Sequence, residues 1–338
     1  MLCPPPSDIW DAIEGDLSMS RVVDPETAFG EPVSSEPRWW SLCSGLDATV
    51  SRAMTGRYPP LGRMGGKRGV ADGVLDILGT WPERWVMIDS DPAIILWWSA
   101  VFGGWLAAVA EVIGNASLDG EELWKTWAAD PVPDNGVEKL ARWIVVQKGN
   151  FSSKPVTVDG QEESWVGLAG YGTESGFAFA KSRVIVSAIA SAISRWALVQ
   201  DKPGLALLLN LDACSPVVQP GDLVTIDPPY ARTTGYRHGL HRDRVVELAT
   251  EADARGARVL VHEAEPVVEG GPWRSVELRR TYGGRQRTWS RQLREVATIN
   301  FKPGTAYQGA SRDRLASRRI MAPIKGPLFG TDKEGIGC

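Results

Sequence analysis

The chain has little histidine and little cysteine, and the distribution of each closes off a class of chemistry. Three histidines stand in 338 residues. Two of them, His238 and His241, fall in GYRHGLHRD, and His262 lies apart, so no convincing three-ligand metal set is visible and no metal is expected. GxSxG is also missing, which leaves a serine-hydrolase reading without its nucleophile turn. The four cysteines, Cys3, Cys43, Cys214 and Cys338, are scattered and form no CxxC pair. That argues against a zinc site or a disulfide framework and fits a reducing cytoplasm. The opening MLCPPPSDIWDAIEGD lacks a basic start followed by an apolar core, so no signal peptide is expected. The most apolar stretch, AIILWWSAVFGGWLAAVAEVIG, approaches the roughly 20 residues that a membrane span requires. Tandem glycines interrupt it, DSDP precedes it and no basic flank follows, so it is expected to form buried helix, in two short pieces. A net charge of −4 gives no overall basicity.

What is present is an alternation of apolar runs and amphipathic segments. Residues 1–36 are rich in proline, serine and acids and read as a loosely packed arm. PRWWSLCSG reads as a strand ending in glycine, and LDATVSRAM as a helix with Asp47 near its first turn. RYPPLGRMGGKRG is loop chemistry, VADGVLDILG is helical and stops at Gly79, and ERWVMIDSDP is a strand ending in acids. From 117 to 200, EELWKTWAAD, GVEKLARWIVVQKGNF and SRVIVSAIASAISRWAL read as helices, and no alternating strand stands out. Strands return with GLALLLNLDA, DLVTIDPPY, RVLVHEAEP, WRSVELRRT and EVATINF, with a helix over DRVVELATEADARG. The tail from Pro303 shows little periodicity. The chain therefore divides into an arm (1–36), a body (37–116 and 201–302), a helical insertion (117–200) and a tail (303–338).

Strands alternating with helices predict an α/β fold, a mostly parallel sheet covered on both faces. In such sheets ligands bind beyond the carboxyl ends of the strands. The residues that matter are then those just past each strand: Cys43-Ser44-Gly45, Asp89-Ser90-Asp91, Asp212-Ala213 and Asp227-Pro228-Pro229-Tyr230. Helix N-capping accounts for one or two of these acids.

The last group, in VTIDPPYARTTGY, asks for a specific chemistry. An exocyclic amine on a nucleobase is a poor nucleophile because its lone pair is delocalised into the ring. Acceptors placed around its two protons draw the nitrogen toward tetrahedral geometry. Asp227 offers a carboxylate, an acceptor when ionised, and the Pro228 carbonyl offers a second. Neither proline has an N–H to compete for the amine, and both fix φ. Rigid acceptors are worth more than mobile ones because their geometry is set in advance. Tyr230 supplies a ring on which a base can stack, worth about 1–3 kcal/mol against the few kcal/mol of unstacking. An Asp227 carboxylate consumed by a purely internal ion pair contradicts this reading.

IDPPYARTTGY resembles the catalytic motif of the amino-methylating, S-adenosylmethionine-dependent DNA methyltransferases, and DPPY the Dam-like adenine-N6 group. The resemblance implies a Rossmann-like class I methyltransferase fold with target recognition in the insertion, and a flipped adenine held by Asp227, Pro228, Pro229 and Tyr230. RMGGKRGVADGVL resembles the family's Gly-Gly-Lys segment near the cofactor, which implicates Met64, Gly65 and Lys67. VMIDSDP resembles the acidic motif that grips the cofactor ribose, through Asp89. Asp212, in NLDA, resembles the acid near the cofactor's adenine. SLCSGLDATVS resembles the glycine-bearing cofactor loop, through Cys43 and Gly45, and Asp227 borders the same cofactor. Here Gly-Gly-Lys follows the glycine loop, whereas in the Dam-like order it precedes it.

DNA is the partner this implies. RWIVVQKGNFSSKPV loosely resembles the family's segment around an Asn-Phe pair, with Asn150 and Phe151 here and Lys148 and Lys154 as phosphate contacts. Between Gly271 and Ile320 twelve Lys or Arg stand against three acids. Within that stretch RRTYGGRQRTWSRQLRE interleaves Arg285, Arg287 and Arg291 with Tyr282 and Trp289, a pattern suited to a phosphate backbone and equally to a solvated basic surface. Cytosine N4 or an RNA base stays open as the acceptor, as does a protein that binds cofactor or DNA without catalysis.

Overall fold

Apolar runs of four to six residues that stay buried on both sides mark the strands of a parallel sheet rather than an exposed one. In the computed structural model, which describes residues 36–61, 67–116, 120–149, 156–158, 161–163, 183–197, 204–213, 215–228, 240–278, 295–304 and 319–321, these runs form one eight-stranded sheet. Its strands are β1 (Trp39–Leu42), β2 (Trp85–Asp89), β5 (Gly204–Leu208), β6 (Leu223–Ile226), β7 (Arg258–Glu263), β8 (Arg274–Leu278), β9 (Glu295–Ile299) and β10 (Arg319–Met321). The order across the sheet is β10-β8-β9-β7-β6-β1-β2-β5. β1 pairs in parallel with β2 and with β6, β2 with β5 and β6 with β7, while β9 runs antiparallel between β7 and β8. The protein is thus a mixed α/β fold on a mostly parallel sheet. The order reverses at β1, so the crevice outside the carboxyl ends of β1 and β6 is the topological switch point.

The helices are fixed by local signals. In α1 (Ala48–Thr55) the Asp47 carboxylate accepts from the backbone N–H groups of Thr49 and Val50 at 2.8 and 2.9 Å. Gly56, at φ 69°, ends the helix with a left-handed cap. The α2 helix (Ala71–Leu78) stops at Gly79, as its sequence predicts. There the chain passes so close to Gly304 that a Cβ on Gly304 would sit 2.7 Å from the Gly79 Cα. The tryptophan-rich stretch forms α3 (Pro92–Phe102) and α4 (Leu106–Gly114), bent by 110° at the tandem glycines. Asp91 caps α3 and Pro92 occupies its first turn. No single helix among the described residues is long and apolar enough to cross a membrane, although this bent pair passes a test of length and composition.

α5 (Gly120–Ala129), α6 (Gly136–Gly149) and α7 (Arg183–Ala197) fall in the stretch read as an insertion. Leu123, Leu140, Ile144, Ile189, Ile193 and Trp196 belong to the same buried cluster as Trp97, Trp98 and the sheet residues Trp39 and Trp85. Trp97 and Trp196 meet at 5.5 Å between ring centroids. This stretch therefore continues the core of the body. It also contains a short antiparallel pair, β3 (Val156–Val158) and β4 (Gln161–Glu163), which the sequence did not signal. β10 likewise falls in the tail read as patternless. Three residues are too few to show an alternating period. On the opposite face, α8 (Arg242–Ala254) packs Val245, Leu248, Ala249 and Ala252 against Val224, Ile226, Val259 and Val261.

The rim away from the switch point is locked by Asp222, which is 1% exposed. Its carboxylate accepts from the Arg38 N–H at 2.7 Å and from Trp40 Nε1–H and the Gln219 N–H at 2.8 Å. These bonds join the starts of β1 and β6. Asp222→Ala leaves three donors, two of them buried, without this acceptor. Urea unfolding is expected to show a loss of about 3 kcal/mol or more, against about 1 kcal/mol or less for an exposed control such as Glu251→Ala.

Candidate functional site

Side chains alternate across a strand, so every second residue of neighbouring strands shares one face. On the face covered by α1–α4 the strands grade from apolar to polar toward the switch-point rim. Leu223 and Thr225 of β6 lead to Asp227, Leu260 of β7 leads to His262, and β9, running the other way, goes from Ile299 and Ala297 to Glu295. The Asp227 N–H bonds the Leu42 carbonyl at 3.1 Å, so this residue is still held on the sheet ladder. A 3₁₀ turn, Lys67–Gly69, leads into α2 and carries Lys67 over these strand ends.

The result is a buried cluster of alternating charge. Lys67 Nζ lies 2.8 Å from Asp227 Oδ1 and 3.3 Å from Glu295 Oε1. His262 Nδ1 lies 3.8 Å from Glu295 Oε1. Lys67 and Glu295 are 7% and 3% exposed, but the Asp227 side chain is 28% exposed. The carboxylate is therefore anchored through Oδ1 on a buried lysine while its side chain keeps partial exposure. It is not enclosed in a purely internal pair. Burial alone would lower the Lys67 ammonium, yet Asp227 and Glu295 outweigh it and hold Lys67 above its ordinary value. Burial pushes the Asp227 carboxyl upward, opposed by Lys67 and His262.

The second half of the rim is the turn after β1. Cys43 takes a left-handed φ of 56° and Gly45 one of 47°. The turn is fastened by Ser44 N–H to the Ile88 carbonyl at 2.9 Å and by Trp98 Nε1–H to the Gly45 carbonyl at 2.8 Å. Asp89, at the end of β2, accepts from the Gly45 N–H at 2.7 Å and from the Asp91 N–H at 2.9 Å. A Cβ built on Gly45 meets nothing within 4 Å, so the turn faces open space. The Cys43 thiol is pushed well up, first by burial and then by the charges of Asp89, Asp227 and Asp212. Three acids from three strand ends therefore act on one point at the switch.

The structure thus gathers Cys43, Gly45, Lys67, Asp89, Asp227 and the adjoining Pro228 along one rim, and the charge of Asp212 acts on Cys43. Pro229, Tyr230, Met64, Gly65, Asn150, Lys154, Arg285, Arg287 and Arg291 lie outside the described residues, as does the Lys148 side chain. Sequence reasoning missed Glu295 and His262. Glu295 opens an apolar strand and His262 sits within one, and an ionisable residue inside such a run is the available signal.

Burial holds His262 below its ordinary 6.5, with Lys67 adding to this and Asp227 and Glu295 opposing it. The unfolded chain takes up this proton near 6.5 and the folded chain resists it. Stability is therefore complete above that pH and is lost as pH falls from there toward the folded value. The loss is no steeper than about 1.4 kcal/mol per pH unit. Asp227 and Asp47, both raised by burial, act with the opposite sign at lower pH. In urea midpoints taken from about pH 7 to 5, His262→Gln is expected to flatten the decline. Parallel declines in both proteins would exclude His262 as its source.

The chain matches no protein-family model, and no curated protein matches it in sequence.

Proposed function

We propose that the protein is a cytoplasmic, class I methyltransferase that transfers a methyl group from S-adenosylmethionine to the N6 amine of adenine in DNA, acting on a base swung out of its stack. The observation that carries this reading is the Asp227 carboxylate, anchored through Oδ1 by a buried lysine yet 28% exposed, at the switch point of a mostly parallel sheet. Pro228 follows it directly and has no N–H to compete for the amine.

The rim has the donor set this cofactor needs. Asp89 ends β2, where a carboxylate suits a ribose diol. The Cys43–Gly45 turn leaves open space beside it, and the acids acting on Cys43 favour a cationic ligand. The cofactor, when bound, supplies a methyl group on a positively charged sulfur. The protein's own part is positioning and electrostatics. The Lys67 ammonium holds Asp227 ionised and fixes its orientation, so Oδ2 accepts one N–H of the amine and the Pro228 carbonyl the other. Those two bonds return the lone pair to the nitrogen. As nitrogen gains its bond to the methyl carbon, the carbon–sulfur bond would break and leave its electron pair on sulfur as an uncharged thioether; the nitrogen becomes positive, Asp227 faces that charge, and one N–H proton then leaves to water. Tyr230 stacks the base. Residues 117–200 read the target, and Lys148, Asn150, Lys154, Arg285, Arg287 and Arg291 hold the backbone.

Incubation with tritiated S-adenosylmethionine is expected to label DNA, with N6-methyladenine as the modified nucleoside. Asp227→Asn keeps the shape but replaces Oδ2 by a donor in one of its two orientations, and should lower turnover about 10²–10³-fold. Asp227→Ala should abolish it. Label in N4-methylcytosine or in RNA would redirect the acceptor, and binding of cofactor or DNA without transfer would identify a non-catalytic protein.

A further inference from the structure

Across the rim the strands run β6, β1, β2 and β5, with β5 at the edge of the sheet. They lead to Asp227, the Cys43–Gly45 turn, Asp89 and the turn that carries Asp212. Leu209 continues the ladder past β5, its N–H donating to the Asp89 carbonyl at 3.1 Å. Beyond it the chain turns. The Ala213 N–H bonds the Asn210 carbonyl at 3.1 Å, and the Asp212 N–H bonds the Asn210 side-chain oxygen at 3.0 Å. Asp212 itself is exposed, and its charge acts on Cys43 together with those of Asp89 and Asp227.

This turn is fastened from outside the sheet by Arg244, in the first turn of α8. Its Nε donates to the Leu211 carbonyl at 2.8 Å and its Nη2 to the Ser215 hydroxyl at 2.7 Å, so the two bonds fall on either side of Asp212. The Arg244 side chain is 16% exposed. Glu247, one turn along the same helix, accepts from Nη1 at 3.0 Å, so α8 aims the guanidinium fork itself. A cation in the first turn of a helix meets the positive end of its dipole, yet two stand there. Each reaches away from α8 to a loop. Arg242 bonds Glu265 Oε1 at 2.8 Å and the Pro266 carbonyl at 2.6 Å, in the loop after β7. Of these two loops, the one held by Arg244 carries the rim acid.

Resting on the methyltransferase reading, we propose that Arg244 is a positioning residue for the methyl donor, holding the Asn210–Ala213 turn so that Asp212 meets the donor's nucleoside end. The donor joins its sulfur, ribose and nucleobase in that covalent order. With the sulfur toward Asp227 and the ribose at Asp89, the nucleobase falls toward β5, where Asp212 can accept from its exocyclic amine. A turn that is ordered only on binding costs affinity, and one already fastened by the fold does not. Arg244 acts through the turn and need not touch the ligand.

The test is calorimetry with S-adenosylmethionine on the full chain, and it requires no turnover. Arg244→Met keeps the apolar stem and removes the fork. It is expected to raise Kd about three- to tenfold, and Asp212→Ala to raise it by a similar factor. Because Arg244 acts through Asp212, adding Arg244→Met to Asp212→Ala should raise Kd no further. Arg242→Met, which releases the other loop, should leave Kd at its native value. A merely structural role for Arg244 predicts a smaller binding-competent fraction at an unchanged Kd. An unchanged Kd in Arg244→Met or in Asp212→Ala, additive effects in the double variant, or an equal rise in Arg242→Met overturns the assignment. If thermal unfolding shows that Arg244→Met does not fold, Arg244→Lys takes its place, because it keeps the charge but lacks the fork that bridges both acceptors. It must then raise Kd in the native background and not in Asp212→Ala, and any other outcome overturns the assignment. Native protein that binds no S-adenosylmethionine would remove the methyltransferase reading and this inference with it, whereas native binding with an unchanged Kd in the Arg244 variant removes the inference alone.

Discussion

The ion pair between Lys67 and Asp227 is the constraint from which the rest of the site follows. A lysine at 7% exposure is costly unless its charge is met, and here it is met by residues from two segments far away in the chain. The 3₁₀ turn that carries Lys67 stays over the sheet because Asp227 and Glu295 hold it there. Asp227 in turn keeps a fixed orientation because one oxygen is committed. Removing either partner leaves buried charge unmatched, so the turn, the end of β6 and the start of β9 are stabilised or lost together.

The sheet makes this arrangement possible by segregating polarity along its length. Trp39, Leu223, Leu260 and Ile299 bury one end of the face, and Asp227, His262 and Glu295 crowd the other. β9 must run antiparallel for this to work. Its acid is its first residue, and only a reversed strand brings a first residue to the rim where the parallel strands end. The antiparallel strand thus adds a carboxylate to a rim that parallel strands would otherwise furnish only through their last residues and the turns that follow.

Much of the body was legible because its strands are short buried runs and its helices carry their own caps. Asp47, Asp91, Gly56 and Gly79 fix helix ends by local chemistry that any window of the sequence contains. Asp227 was also legible, since DPPY is a local motif. Lys67 was singled out only through a resemblance, and its pairing was not, because an ion pair between distant segments leaves no local pattern. Glu295 was hidden for the same reason, lying beside a run of arginines that looks like surface. Lys67 reaches the rim from between β1 and β2, crossing over β1 to meet β6 and β9. The insertion was read by its helices, but their sharing of the core with Trp97 and Trp98 depends on three-dimensional packing.

The aspartates near the ends of the strands offer a final discrimination, by what each carboxylate already does. Asp222 accepts from three donors, and Asp47 from two backbone N–H groups and the Ser41 hydroxyl, so the fold itself accounts for both. Asp91 caps a helix. Asp89 is intermediate. Two backbone N–H groups fix its orientation and tie the turn after β1 to the end of β2. Asp227 differs from all of these. Its described partner is a charged side chain on one oxygen, it accepts no described backbone donor, and its side chain is partly exposed. The asymmetry of its partners, more than the motif in which it sits, sets Asp227 apart from the aspartates that the fold itself accounts for.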